Sequence, residues 1–226
     1  MLFTTKTNGK EMEIRKFEFN LFGENTYVIW DPATLQAAVV DPGMAEDFEA
    51  DELIDFCTSR HLDVKYILLT HAHVDHTFGI EALQALLPGV PVIAHKADAP
   101  LAASRAQQAQ MFHLWRSLEP LAFDRMVTDG SVLRLGDEEI KVIATPGHSP
   151  GGVCYYVPAS KFVLTGDTLF AGSIGRTDLP GGNGHVLVHS ILSGLMSLPS
   201  DTAVYPGHGP STTIARERAT NPFLRL

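Results

Sequence analysis

The chain has 226 residues, 45% of them hydrophobic and 19% charged, enough to bury a sizeable core as one domain over 1–226. A formal net charge of −9 sets it against a nucleic-acid backbone, so no nucleic-acid partner is expected. No stretch approaches the roughly 20 apolar residues of a membrane helix, and residues 1–20 lack the apolar centre of a signal peptide; no membrane partner and a cytoplasmic location are the expectations.

In chain order, "IRKFEFN" (14–20) alternates apolar and polar residues at period two, as a half-buried strand does. "TYVIWD" (26–31) and "QAAVVD" (36–41) follow across Gly23–Asn25 and a turn at Pro32, and read as antiparallel neighbours. Residues 46–60 place Phe48, Leu53, Ile54, Phe56 and Cys57 on one helical face. "VKYILLT" (64–70) is an apolar run suited to a central strand. A helix over 77–87, ended by Pro88–Gly89, and a strand over 90–95 continue a strand–helix–strand alternation. Residues 96–127 are the least regular part, read as a helix and then a long exposed loop with aromatic residues. The second half reads as hairpins over 131–145 and over 153–158 with 161–167, then a Gly-rich loop over 171–184. A helix at about 185–197, a strand and loop over 202–209 and a helix over 211–219 complete the chain. Strands dominate both halves with helices between, which predicts an α/β fold: two sheets face to face with helices outside, a four-layer αββα sandwich. Cys57 and Cys154 lie far apart in a helical and a strand pattern, and read as small buried hydrophobes in a reducing compartment.

The chemistry concentrates in "THAHVDH", residues 70–76, where three histidines and an aspartate follow the end of a strand. If the chain stays extended there, His71, His73 and Asp75 point to one side, and His76 opens the next helix. Imidazole suits zinc, and carboxylate suits zinc or iron. "TPGH", "LTGD" and "YPGH" then place His148, Asp167 and His208 each just after an apolar strand and beside a glycine. Glycines 147, 166 and 207 let the backbone turn sharply or approach the centre closely. Seven ligands exceed the three or so that one catalytic ion takes from a protein and suit two. His71, His73 and His148 would hold one ion, Asp75, His76 and His208 the second, and Asp167 would bridge them. A water between two such ions loses a proton near neutral pH and becomes a nucleophile.

These residues resemble the metallo-β-lactamase superfamily, whose signature is HxHxDH followed by later His, Asp and His. The resemblance covers nearly the whole chain and includes all seven ligand positions. "LTGDTLF" followed by "GSIGRTDLPGG", and "PGHGPSTTIARERATNPFL", look like the glyoxalase II branch, the hydroxyacylglutathione hydrolases. The resemblance implies the same sandwich fold and a hydrolase with two divalent ions, zinc being expected and iron or manganese compatible. The implied substrate is a small-molecule thioester such as S-lactoylglutathione, cleaved by a hydroxide bridging the ions, which Asp75 would orient. Full-length glyoxalase II enzymes carry a further C-terminal helical region for the glutathione part. Here the chain reaches Leu226 shortly after "NPFL", as in the short bacterial form, and Gly152 stands where relatives often carry histidine. The thiol carrier is therefore open among glutathione, another small thiol and coenzyme A.

Around this set, Asp41 in "VVDPG" either fixes a ligand histidine through its second ring nitrogen or is a turn residue before Pro42. Arg176 and Asp178 in "GRTD" are expected to pair and brace the loop near Asp167 rather than touch substrate. Tyr155 and Tyr156 point oppositely along a strand and default to core packing, and Met111–Trp115 to packing under a loop. His61, His95, His113, His185 and His189 match no ligand pattern. Two other reactions fit the superfamily. One is a persulfide dioxygenase with a single iron on His71, His148 and Asp167, against which "PGHGP" argues. The other is a lactonase or β-lactamase using the same two-ion machinery.

Overall fold

The structure, a computed structural model, describes residues 11–114 and 118–225. Strands β1 (Glu13–Phe19), β2 (Glu24–Trp30) and β3 (Gln36–Val40) lead into helix α1 (Asp47–Ser59). Strand β4 (Asp63–Leu68), helix α2 (Ile80–Leu86) and strand β5 (Val92–His95) follow, then helices α3 (Ala99–Ala103) and α4 (Arg105–Met111) and strand β6 (Arg125–Val127). The second half holds β7 (Val132–Leu135), β8 (Glu138–Ala144), β9 (Val153–Val157) and β10 (Phe162–Gly166). The short pair β11 (Leu169–Phe170) and β12 (Ser173–Ile174), helix α5 (Gly184–Ser193), β13 (Ala203–Pro206), β14 (Thr212–Thr213) and helix α6 (Ile214–Thr220) complete it.

Two six-stranded sheets form among the described residues, in the orders β1-β2-β3-β4-β5-β6 and β14-β13-β10-β9-β8-β7. In the first, β1, β2 and β3 pair antiparallel and β3 to β6 run parallel. In the second only β10 and β13 are parallel. Side-chain alternation then creates three apolar layers. Every residue of β2 is buried: Tyr27 and Ile29 face the other sheet, while Val28 and Trp30 face the helices with Leu53, Cys57 and Leu83. On β9, Val153, Tyr155 and Val157 join the inter-sheet layer, whereas Cys154 and Tyr156 pack with Leu187, Ile191 and Ile214. Helices outside both sheets make the αββα sandwich. Each large aliphatic or aromatic side chain so buried contributes roughly 1.5–3 kcal/mol.

Both hairpins of the second half and the antiparallel β2–β3 pair form where the sequence places them. Other expectations change. Phe48 is 69% exposed, and α1 buries Glu49 instead. That carboxylate accepts the backbone N–H groups of Asn20 (2.8 Å), Ala45 (2.6 Å) and Glu46 (3.0 Å), and so caps its own helix. The run after β4 leaves the extended path at His73 and turns through a 3-10 segment, Val74–His76, so α2 starts only at Ile80. The region read as a loop contains β6, and the Gly-rich region contains β12, whose pairing partner β11 lies just before it. Cys57 and Cys154 are buried and free, as expected, and Tyr155 and Tyr156 are both core residues. None of the described helices is long and apolar enough to cross a membrane.

Candidate metal centre

Strands β3, β4, β8, β10 and β13 all end at one edge of the sandwich, because β4 runs parallel to β3 and β13 to β10, with β8 two antiparallel steps from β10. The carboxyl ends of such strands are where a crevice opens. Asp41 follows β3, His71 to His76 follow β4, His148 follows β8, Asp167 follows β10, and His208 follows β13. The seven residues singled out in the sequence come together here from both sheets.

They form two groups. In the first, His148 Nε2 lies 2.8 Å from His73 Nδ1 and 3.2 Å from His71 Nε2. In the second, Asp75 Oδ2 lies 3.3 Å from His208 Nε2 and 3.7 Å from His76 Nε2. Asp167 reaches both: Oδ1 is 3.4 Å from His76 Nε2 and 3.6 Å from His208 Nε2, and Oδ2 is 3.5 Å from His148 Nε2. Asp75 joins its group through the 3-10 turn rather than along an extended strand.

Outer hydrogen bonds decide which ring nitrogen faces in. His148 Nδ1–H donates to the Arg176 carbonyl (2.7 Å), and His208 Nδ1–H to the Phe22 carbonyl (3.2 Å). His76 Nδ1–H donates to Asp41 Oδ2 (3.0 Å). The Thr70 hydroxyl donates to the same oxygen (2.6 Å) and thereby accepts from His71 Nδ1–H (3.0 Å). Asp41 Oδ1 accepts the Thr70 N–H (2.7 Å). Asp41 could group with His71 and His76 by proximity, but its oxygens are committed to their outer side. Each of these four rings therefore turns its Nε2 inward, the atom that carries the lone pair in the Nδ1–H tautomer.

The electrostatics divide the histidines. Burial, helped by neighbouring imidazoles, holds His71 well below the usual histidine range and brings His73 down to about 3, so both stay neutral. His76 moves the other way: burial lowers it, but Asp75, Asp167 and Asp41 outweigh that and raise it well above 6.5. Asp167 is held below the carboxylate range, its burial outweighed by His76, His148 and His208. Buried His76 Nε2 and Asp167 Oδ1 have no hydrogen-bond partner among the described residues. Ring nitrogens that converge at 2.8–3.2 Å, beside orphaned carboxylate and imidazole atoms, fit divalent cations. His71, His73 and His148 would hold one, Asp75, His76 and His208 another, with Asp167 between. The backbone makes room: a Cβ on Gly207 would stand 2.5 Å from Asp167 Oδ1 and 2.6 Å from His76 Cε1.

A family model for the metallo-beta-lactamase superfamily matches residues 20–208. The chain belongs to the metallo-β-lactamase superfamily. It is 36% identical to hydroxyacylglutathione hydrolase GloC of Haemophilus influenzae, over 94% of this chain and 98% of that protein. Among solved structures it resembles BLEG-1 B3 metallo-beta-lactamase, with a TM-score of 0.85 and 34% identity over 95% of this chain and 100% of that one. TTHA1623 in a di-iron-bound form gives a TM-score of 0.80 and 37% identity over 93% and 100%. The class is that of a metallo-hydrolase, with His and Asp clusters suited to divalent ions.

Within this superfamily frame the remaining candidates fall into place. Arg176 pairs bidentately with Asp178, both contacts at 2.7 Å and both side chains exposed, and the pair holds Asp178 down to about 2. Arg176 serves His148 through its main-chain carbonyl. At Gly152 a Cβ would come within 2.9 Å of the Thr145 carbonyl, so a histidine does not fit there without a shift. Phe112 packs edge-on to Phe22, whose carbonyl holds His208; Trp115 lies outside the described residues. No described cluster includes His61, His95, His113, His185 or His189.

Sequence reasoning missed several supporting side chains. Thr70 orients His71. Glu24 is fully buried beside His76, its carboxyl pushed up chiefly by burial. Gln108 accepts the Val74 N–H (2.9 Å), and Arg105 donates to the Thr77 carbonyl (2.8 Å), so α4 grips the ligand turn. Thr70 stood inside the motif and was legible as a hydroxyl next to a ligand; Gln108 and Arg105 sat in the stretch with least pattern.

Proposed function

We propose that the chain is a thioester hydrolase that cleaves a 2-hydroxyacyl thioester such as S-lactoylglutathione to the acid and the free thiol. The observation that carries this reading is the paired donor set, three histidines beside an Asp–His–His group with Asp167 reaching both. Similarity to the hydroxyacylglutathione hydrolase of H. influenzae along nearly the whole chain supports the substrate class.

When bound, two divalent ions supply a Lewis acid for the thioester carbonyl and bring the pKa of a water near neutrality. Zinc matches the imidazole-rich donors, and iron is also compatible. The chain's own residues do the rest. The inward nitrogens of His71, His73 and His148, and the carboxylates of Asp75 and Asp167, provide the donors. Asp75, partly accessible at its side chain, accepts a hydrogen bond from the attacking water and fixes its direction. Asp41 keeps His76 and, through Thr70, His71 in the ring state that leaves Nε2 free. The water, having given up a proton to solvent, adds its oxygen to the carbonyl carbon; the carbon–sulfur bond then breaks as the carbonyl re-forms, and the thiolate leaves without a strong general acid.

A β-lactam substrate is the second reading, favoured by the likeness to BLEG-1. A persulfide dioxygenase with one iron on His71, His148 and Asp167 would leave His73, Asp75, His76 and His208 without a role. The test is thiol release from S-D-lactoylglutathione by the purified full chain, with and without chelator, beside a chromogenic cephalosporin and oxygen uptake with glutathione persulfide. Chelator-sensitive thiol release that exceeds the other two activities is expected. No thiol release from a metal-loaded sample overturns the thioester reading.

A further inference from the structure

Four of the five ligand histidines are fixed through the ring nitrogen that faces away from the centre, by Thr70, Asp41, the Arg176 carbonyl and the Phe22 carbonyl. His73 differs. Its Nδ1 faces His148, and no described residue partners its Nε2. Its position is set by the main chain on either side. The Val74 N–H is held by Gln108 Oε1, and the Ala72 N–H is held by Asp98 Oδ2 (3.0 Å).

Asp98 ends the 3-10 turn after β5 and is fully buried. Besides Ala72, it takes two hydrogen bonds from the other sheet's ligand turn. Ser149 Oγ donates to Oδ2 at 2.9 Å, and the Gly151 N–H to Oδ1 at 2.6 Å. Ser149 follows His148 directly. A Cβ on Gly151 would stand 2.6 Å from the Asp98 backbone nitrogen and 2.8 Å from its carboxyl carbon, so the two turns touch with no room for slack. One carboxylate thus joins the residue before His73 to the residue after His148, whose facing nitrogens lie 2.8 Å apart. Two further links join the same turns, Val153 N–H to the Thr70 carbonyl and Tyr155 Oη to the Leu69 carbonyl, but both sit further from these two histidines.

We propose that Asp98 is a positioning residue for the three-histidine group: it sets the His73–His148 separation and so the affinity of that group for its ion, leaving the Asp75–His76–His208 group unaffected. This rests on the metal-centre reading, and its readout is metal affinity rather than turnover. The Asp98→Asn amide keeps the shape but offers one acceptor oxygen in place of two, and turns its NH₂ toward groups that donate.

The test is zinc binding to the full chain, stripped and titrated against a chromophoric chelator, for wild type, Asp98→Asn, Ser149→Ala and His73→Gln, with circular dichroism to verify folding. Ligand-supporting hydrogen bonds are typically worth about 10–100-fold in metal affinity, so Asp98→Asn is expected to weaken one of two zinc sites by about tenfold or more. The other site should stay unchanged. Ser149→Ala, which removes one of three bonds and leaves the carboxylate, should weaken the same site less. In His73→Gln, adding Asp98→Asn should change nothing at the remaining site. Equal weakening of both sites, or unchanged affinities in folded Asp98→Asn, overturns the proposal. If Asp98→Asn does not fold, unchanged affinities in Ser149→Ala overturn it. No zinc binding by the wild type overturns the metal-centre reading and this inference together, whereas selective weakening in a chain that cleaves no thioester leaves the assignment of Asp98 standing.

Discussion

At the scale of single residues, the centre depends on proton placement as much as on ligand identity. Asp41 is the clearest case. It has a positive φ of 51°, and its Oδ2 takes both the His76 Nδ1–H and the Thr70 hydroxyl. An asparagine there would turn an NH₂ toward one or both of these donors. Asp41→Asn should lower metal affinity by about 10–100-fold, read by chelator competition, with the fold retained by circular dichroism. Wild-type affinity in the variant would show that Asp41 is only a turn residue before Pro42. The seven donor positions were legible because each stands at a strand end in a short motif. The bonds behind them were less so. Two of the four acceptors are main-chain carbonyls, of Phe22 and Arg176, and a carbonyl leaves no mark in residue type. Asp98 was hidden for another reason: its partners lie 26 to 53 positions away in sequence.

At the scale of elements, strand alternation carried most of the sequence reading and helix faces carried less. Period two and apolar runs placed the long strands, whereas β6 and β12 are too short to show a period. Phe48 misled because an apolar residue in the first turn of α1 gave way to Glu49, whose carboxylate is needed by three backbone N–H groups. Helix α4 shows how a weakly patterned segment can still matter. Arg105 is fully buried and donates to Glu81 (2.5 and 3.0 Å), the Thr77 carbonyl (2.8 Å), Thr77 Oγ1 (3.2 Å) and the Glu119 carbonyl (3.0 Å). Truncation would strand two carbonyls and leave a void. Arg105→Ala should therefore cost about 2–4 kcal/mol in urea unfolding, the lower part of the range reflecting the half-exposed Glu81 carboxylate. A loss below about 0.5 kcal/mol, the ordinary surface effect, would contradict the assigned grip.

At the scale of the whole molecule, the fold and the site are one arrangement. Three apolar layers hold two sheets in register, and the register brings strand ends from both sheets to one edge. The first donor group takes His71 and His73 from one sheet and His148 from the other; the second takes Asp75 and His76 from the first and His208 from the second. Neither group exists within a single sheet. The four-layer order was readable from the balance of strands and helices, and so were the antiparallel neighbours β2–β3, β7–β8 and β9–β10, but the order in which these units join into sheets was not, since alternation fixes faces and not distant neighbours. The most direct test of the two-group centre is stepwise reloading of the stripped full chain with zinc, following zinc uptake and thiol release from S-D-lactoylglutathione together. Two equivalents bound, with thiol release rising steeply only as the second is taken up, is the result predicted. Full thiol release at one equivalent, with no second ion bound, would contradict it.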